Sequence, residues 1–152
     1  MYKKFLILLF AIALAGAGCS NVGSNSTASN EAALTMPNGK TITVEVARTL
    51  SEQATGLSER KDVSPGMLFC MGKTKVQNFW MLGMKAPIDM IWIHGGDVME
   101  VSANVPLRED GEVTRRSSMA PANMVLELPA GEAEKFDVNI DTFIEGAVEA
   151  CG

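Results

Sequence analysis

Two acidic residues lie within stretches that are otherwise apolar, and their chemistry stands out first. Asp89 lies in Pro-Ile-Asp-Met-Ile-Trp-Ile, and Glu127 lies in Val-Leu-Glu-Leu-Pro. A carboxyl group on an apolar face must be paired or hydrogen-bonded, or its pKa must rise. If the two carboxyls met with different pKa values, they could serve a hydrolase or transferase as acid and base. The alternative for Asp89 is a structural carboxylate that accepts backbone N–H bonds from a loop.

Sulfur-containing side chains form a second set of candidates. The sequence contains ten methionines. Thioethers select Cu(I) among biological metals, so Met67, Met81, Met84 and Cys70 define a hypothetical copper site. Methionine also fills irregular gaps in ordinary cores, and most of these residues fall within strand patterns. The pattern therefore favours a core role, with Cu(I) binding as the alternative.

Few other side chains could act as a nucleophile, base or metal ligand. His94 is the only histidine and precedes Gly95-Gly96-Asp97, so we expect an exposed turn residue at a hairpin tip. Cys70 and Cys151 could form a disulfide in an oxidising compartment. The sequence does not tell whether their Cα atoms come within the necessary distance of about 4.4–6.8 Å. We predict no catalytic residue and no cofactor.

Two tryptophans fall in neighbouring predicted strands. Trp80 and Trp92 would usually fill the core of a β sandwich. The alternative for Trp80 is a platform on which a ligand stacks. Trp80, Asp89 and Glu127 together form the predicted binding set.

The first 19 residues have the order of parts of a secretory signal. Two lysines precede an apolar run at residues 5–14, and four small residues then lead to Cys19. The run is too short to span a bilayer, which takes about 20 apolar residues. Ala17-Gly18-Cys19 resembles a bacterial lipoprotein signal, in which the cysteine is diacylated and becomes the mature N-terminus. The alternative is cleavage after Ala17, which would leave Cys19 as a free thiol.

The chain is therefore predicted to be exported and anchored in the cell envelope through lipid on Cys19, facing the periplasm or another extracytoplasmic space. Residues 20–31 are polar and predict a flexible tether. Residues 32–152 have the length of a single domain. The formal net charge is −5 and no basic stripe is present, which argues against nucleic-acid binding.

Short stretches of alternating or branched residues predict a β-rich domain. Strands are predicted at residues 42–46, 66–71, 76–81, 88–93, 98–105, 124–128 and 141–144. Ser51 is predicted to cap a short helix at residues 52–55 that ends at Gly56, and another helical turn is expected at residues 132–136. Many short strands with one or two short helices predict a compact antiparallel sandwich or small barrel.

Several blocks of this sequence, in order, resemble a conserved bacterial and archaeal family, the domain of unknown function 192. The blocks are Gly56-Leu57, Gly66-Met67-Leu68-Phe69, Phe79-Trp80-Met81, residues 86–93, Pro121-Ala122 and residues 125–131. The resemblance covers about residues 40–144 and implies a mostly antiparallel fold of jelly-roll type, with no established activity. The family usually carries a polar Lys-Asn-Thr after the Phe-Trp-Met block, where this chain has Leu82-Gly83-Met84.

The sequence thus favours a non-enzymatic accessory or binding module whose partner is a protein or a small molecule. A Cu(I)-binding envelope protein and a carboxylate-dependent hydrolase are the alternatives. The three differ in which side chains must meet in the folded domain, and the structure tests that.

Overall fold

The computed structural model describes residues 30–152, so the predicted signal, Cys19 and nearly all of the tether lie outside the described residues. Within this range the chain forms ten strands and three short helices. The strands are β1 (Glu31–Thr35), β2 (Thr41–Ala47), β3 (Met67–Lys75), β4 (Asn78–Trp80), β5 (Ile88–His94), β6 (Asp97–Val105), β7 (Arg108–Glu109), β8 (Glu112–Val113), β9 (Arg115–Ser117) and β10 (Ala122–Pro129). The helices are α1 (Leu50–Thr55), α2 (Glu132–Lys135) and α3 (Ala147–Cys151). No helix in residues 30–152 has the length and apolar character that a membrane span requires.

The domain is mostly β, as predicted, and its main element is a six-stranded sheet in the order β1-β2-β3-β10-β5-β6. Strands β2 and β3 are parallel, while the other neighbours are antiparallel. The prediction of a compact antiparallel sandwich or small barrel is therefore corrected to a mixed, open six-stranded sheet. The chain can place β2 and β3 parallel because a long connection through α1 joins them, and parallel strands need such a crossover rather than a tight turn. Two small ribbons, β4–β9 and β7–β8, lie beside the sheet.

The sheet buries side chains on both faces, which explains why β5 and β10 are apolar at nearly every position. One face, called here the helix face, includes Leu68, Ile91 and Leu126 and packs against α2 and α3. The opposite face, called the loop face, includes Phe69, Trp92 and Val125. It packs against side chains from the connections that follow α1 and β4.

Three local features differ from the sequence prediction. The cap of α1 is Thr49 rather than Ser51, because Thr49 and Glu52 form a reciprocal capping box. Gly56 ends this helix, as expected. Residues 141–144 form no strand; Phe143 makes a single isolated bridge to Asp97. Strand β1, the short strands β7, β8 and β9, and helix α3 are additions that the sequence pattern did not indicate.

A disulfide joins Cys70 of β3 to Cys151 of α3, with a Cα–Cα distance of 5.3 Å. Both residues lie on the helix face. The bond therefore ties the last helix of the chain to the sheet, where Ala147 and Ala150 are buried. The sequence left this pairing open, and the structure contains it.

We expect the double variant Cys70→Ala/Cys151→Ala to lose about 2–4 kcal/mol of unfolding free energy, because a cross-link restricts the unfolded chain. The loop it closes spans 81 residues. Urea denaturation followed by circular dichroism measures the loss. Reductant should lower the midpoint of the wild type to that of the variant and leave the variant unchanged. Equal wild-type midpoints with and without reductant would contradict the prediction.

Candidate functional site

A cleft of about 270 Å³ opens on the loop face of the sheet. This volume is near the lower end of the ~300–1,000 Å³ typical of small-ligand sites. Aromatic rings and thioethers form most of its apolar lining. The C-terminal part of α1 and strand β4 also border it. Side chains that line the cleft include those of Gln53, Ala54, Ser58, Phe69, Met71, Asn78, Phe79, Trp80, Met84 and Glu127.

Glu127 lies in β10, where the sheet forms the inner wall of the cleft. The residue is only 5% exposed, and its strand register places it between Met67 of β3 and Met90 of β5. Within residues 30–152 its carboxyl group has neither a hydrogen bond nor an ion pair. Burial alone raises the pKa of Glu127 to about 8, because desolvation disfavours the charged form. At neutral pH the group is therefore mostly a protonated acid, which can donate one hydrogen bond and accept others.

Two glycines allow close packing against β10 and against the ring of Phe69 beside the cleft. A Cβ at Gly66 would lie 2.4 Å from the backbone oxygen of Glu127, so only glycine lets the start of β3 pass this close. A Cβ at Gly56 would lie 3.1 Å from the ring of Phe69. Both glycines have positive φ. They lie in the sequence blocks that resemble the family, and the structure shows their local purpose.

Ring packing positions the aromatic wall. Phe79 contacts Phe69 and Trp92 edge to face, with centroid distances of 5.1 Å and 5.6 Å. This fixes β4 against the sheet. The neighbouring Trp80 is 61% exposed and lines the mouth of the cleft. The expectation that Trp80 fills the core is therefore wrong, because β4 pairs only with β9 and leaves one side open.

Trp92, in contrast, fills the core as expected. It is fully buried, and its indole N–H donates to the hydroxyl oxygen of Ser102 at 3.0 Å. The two tryptophans thus occupy different environments, and only Trp80 belongs to the cleft.

Polar side chains brace the edges of the cleft without adding charge. The amide of Gln53 donates to the carbonyl oxygen of Cys70 at 2.7 Å. The hydroxyl of Ser58 donates to the carbonyl oxygen of Leu82 at 3.1 Å, and the hydroxyl of Ser117 donates to Asn78 Oδ1 at 2.6 Å. Among the residues that line the cleft, Glu127 is the only titratable one.

Asp89 lies on the other face of the sheet. It pairs with Leu128, the residue after Glu127, and so it points to the helix face. Its carboxylate accepts backbone N–H bonds from Asn104 at 2.7 Å and from Ala133 at 2.9 Å. Asp89 therefore accepts backbone N–H bonds, as the structural interpretation expected, but the donors belong to β6 and α2 rather than to a loop. The pairing of Asp89 with Glu127 as catalytic acid and base is wrong. Asp89 shares a face with its partner Leu128, and the side chain of Glu127, the residue before Leu128 in the same strand, points to the opposite face.

Of the four proposed copper ligands, Cys70 lies apart from the three methionines. Met67, Met81 and Met84 pack on the loop face, whereas Cys70 faces the helix face and is bonded to Cys151. Of the four, only Met84 lines the cleft. Between residues 30 and 152, no group of three or more His, Cys, Asp or Glu residues could hold a metal. His94 is exposed at the end of β5, as its turn position predicted.

Sequence reasoning selected Trp80 and Glu127 but missed most of the cleft. Gln53, Phe69, Met71 and Phe79 were not singled out, although they line it. The available signal was the group of family-like blocks, because Phe69 and Phe79 both belong to them. Composition and periodicity alone carry no sign that these segments converge.

The comparisons with known proteins agree on the family and the fold. The family described as Uncharacterized ACR, the domain of unknown function 192, matches residues 33–146, which include every residue of the cleft. A crystal structure of a candidate transcription regulator from Sinorhizobium meliloti 1021 is 31% identical, with a TM-score of 0.67, over 78% of this chain and 93% of that chain. A crystal structure of a protein of unknown function from Novosphingobium aromaticivorans DSM 12444 is 28% identical, with a TM-score of 0.63, over 76% and 83%. No curated protein matches the chain.

The raised pKa of Glu127 predicts a specific dependence of stability on pH. A carboxyl whose folded-state pKa is raised from 4.5 to about 8 binds more protons in the folded state than in the unfolded state between these values. Its contribution to stability is fully present below pH 4.5 and is lost as the pH rises to about 8. We expect Glu127→Gln to abolish this loss, so that the wild type loses about 3–5 kcal/mol relative to the variant between pH 4 and pH 9.

Urea denaturation at a series of pH values, with the disulfide intact, gives this difference. Asp89→Asn is the matched control, since it changes a buried carboxyl in the same way on the opposite face. It should lower the unfolding free energy at pH 8, because an amide cannot accept both N–H bonds that Asp89 accepts. Parallel pH profiles for the wild type and Glu127→Gln would show that Glu127 is not a buried, unpaired acid.

Proposed function

The chain belongs to the domain of unknown function 192 family, as its sequence blocks predicted, and we propose that it is a small-ligand-binding module of the cell envelope. In this proposal the chain is exported and held at the membrane by lipid on Cys19, and residues 20–31 connect the anchor to the domain. The observation that carries the binding role is the unpartnered Glu127 carboxyl inside an aromatic cleft.

The free-energy cost of ionising Glu127 supports a ligand-binding role. Ionising this carboxyl in the empty cleft costs up to about 5 kcal/mol, because a shift of one pKa unit corresponds to about 1.4 kcal/mol. The group makes no bond that holds the fold together, unlike Asp89. Glu127 lines the cleft together with Phe69 and Phe79. A strongly perturbed acid in an apolar cleft is a recognised mark of a functional site.

Binding is favoured over catalysis because the cleft has one titratable group and no partner for it. Acid–base catalysis commonly uses two groups with separated pKa values. The carboxyl that the sequence offered as the second group, Asp89, faces away from the cleft. The hydroxyl of Ser58, which lines the cleft, donates to the carbonyl oxygen of Leu82 rather than to a base.

The description of the Sinorhizobium relative as a candidate transcription regulator applies to that protein. DNA affinity depends on lysines and arginines that neutralise phosphates. This chain has 13 basic residues against 18 acidic ones. DNA binding is therefore not part of the proposal.

Binding in the cleft can be tested with simple aromatic probes on the full chain carrying Cys19→Ser, which removes the proposed acylation site. Benzylamine and benzyl alcohol should give saturable signals in ligand-observed NMR. Ala54 is exposed on α1 and lines the cleft, so Ala54→Trp should fill the cleft and weaken binding of the better probe at least about tenfold. Ala103→Trp, at an exposed position of β6, is the control and should change binding less than about twofold. Absence of binding by both probes, or full binding by Ala54→Trp, would refute the proposed site.

The anchor is tested by fractionating cells that express the wild-type chain or its Cys19→Ser variant. Two acyl chains bind a protein stably to a membrane. The wild type should therefore sediment with membranes and incorporate labelled palmitate. Cys19→Ser should do neither, while Ser20→Ala should behave as the wild type. Uncleaved wild-type protein in the cytosol would end this part of the proposal and leave the binding role to its own test.

A further inference from the structure

We propose that the ligand is an organic cation, a primary amine on a small apolar body, whose ammonium group binds the carboxylate of Glu127. This inference rests on the proposed function and specifies the chemical class of the ligand. The observations that carry it are the charge balance of the cleft, the position of its rings and the absence of a competing partner for the carboxyl within residues 30–152.

The charge balance selects against anions. No lysine, arginine or histidine lines the cleft. A carboxylate or phosphate in this space would meet Glu127 with no cation to offset the repulsion, and burying an unpaired charge is costly. An ammonium group would instead be attracted, because the carboxylate of Glu127 is the only charge that the residues lining the cleft can carry.

The charged groups of the surrounding elements do not compete for this role. Asp89 of β5 faces the helix face. In α1, Glu52 accepts backbone N–H bonds from Arg48 and Thr49. Other charges of the nearby elements form ion pairs or lie outside the cleft lining: Glu45 with Arg60, Glu59 with Lys85, Arg116 with Glu109, and Lys73, Lys75, Asp62 and Arg115. An amine that enters the cleft therefore finds Glu127 as its counter-ion.

The rings add a second attraction for a cation. Phe69, Phe79 and Trp80 line the same cleft as Glu127. A cation close to an aromatic face is attracted by the ring, and the attraction is larger where water is excluded. A neutral ligand of the same shape gains the apolar contact but not this attraction. The rings would also hold the apolar body of the amine at the mouth of the cleft, beside Trp80.

Binding of such a ligand displaces a proton. In the empty cleft Glu127 holds its proton at neutral pH, since burial raises its pKa to about 8. An ammonium ion favours the carboxylate, so the carboxyl proton passes to the solvent while an N–H of the ammonium donates to the carboxylate oxygen. No covalent bond changes. Affinity should therefore rise up to about tenfold per pH unit from pH 6 to pH 8, and level off above that.

Calorimetric titration with benzylamine, benzyl alcohol and benzoate, matched in shape, tests the inference on the full chain carrying Cys19→Ser. Benzylamine should bind at least about tenfold more tightly than benzyl alcohol at pH 8, and benzoate more weakly than either. Repeating the benzylamine titration at pH 7 in buffers of different ionisation enthalpy should show release of about one proton. Glu127→Gln should abolish this release and the preference for the amine, while Glu134→Gln, at an exposed carboxyl outside the cleft, should retain both.

The outcomes separate the two proposals. If benzyl alcohol binds as tightly as benzylamine and no proton is released, the inference about the cation is overturned and the binding role stands. Tighter binding of benzoate than of benzylamine overturns the inference in the same way. If none of the three probes binds to the wild type, both proposals fall.

Discussion

The burial of the Glu127 carboxyl without a partner is the constraint on which the character of the cleft depends. Glu127 belongs to β10, which pairs with strands on both sides, so its backbone cannot shift to bring the side chain to water. Gly66 packs directly against its carbonyl oxygen. The fold therefore fixes an acid in an apolar setting and leaves protonation, or an incoming ligand, as the ways to satisfy it.

Comparison with Asp89 shows that environment, not residue type, decides what a buried carboxyl does. The two acids lie on adjacent strands, one residue apart in register, and point to opposite faces. On the helix face, α2 begins close to Asp89 and supplies the N–H of Ala133, while Asn104 supplies another. On the loop face, rings from β3 and β4 and the thioethers of Met71 and Met84 line the cleft, and no described residue donates a hydrogen bond to Glu127. The first carboxyl is therefore structural, and the second keeps its bonding capacity for the cleft.

Local patterns in the sequence predicted most of the sheet but little of the site. Alternation located β2 and β6, and short runs of apolar, branched or aromatic residues located β3, β5 and β10. The two-residue period of a strand also placed Asp89 correctly on one face with Ile91. It gave no sign that α1 lies beside β4 or that β4 lies off the main sheet, so Trp80 was expected in the core. These facts depend on contacts between residues distant in the chain, as does the approach of Cys151 to Cys70. Whether a segment forms a strand depends largely on its own residues, whereas a cleft depends on which distant segments come into contact.

Hydrogen bonds to main-chain oxygens hold the segment at residues 82–84, which carries Met84 into the lining of the cleft. The carbonyl oxygens of Leu82 and Gly83 accept hydrogen bonds from Ser58 Oγ and from the backbone N–H of Glu59. These bonds use main-chain acceptors, so they do not depend on which side chains follow Met81. Met84 presents its side chain to the cleft from this segment, where the family resemblance leads one to expect a polar residue. Met84 therefore adds an apolar contact to the lining of the cleft, which suits a ligand whose body is apolar and whose only charge contacts Glu127.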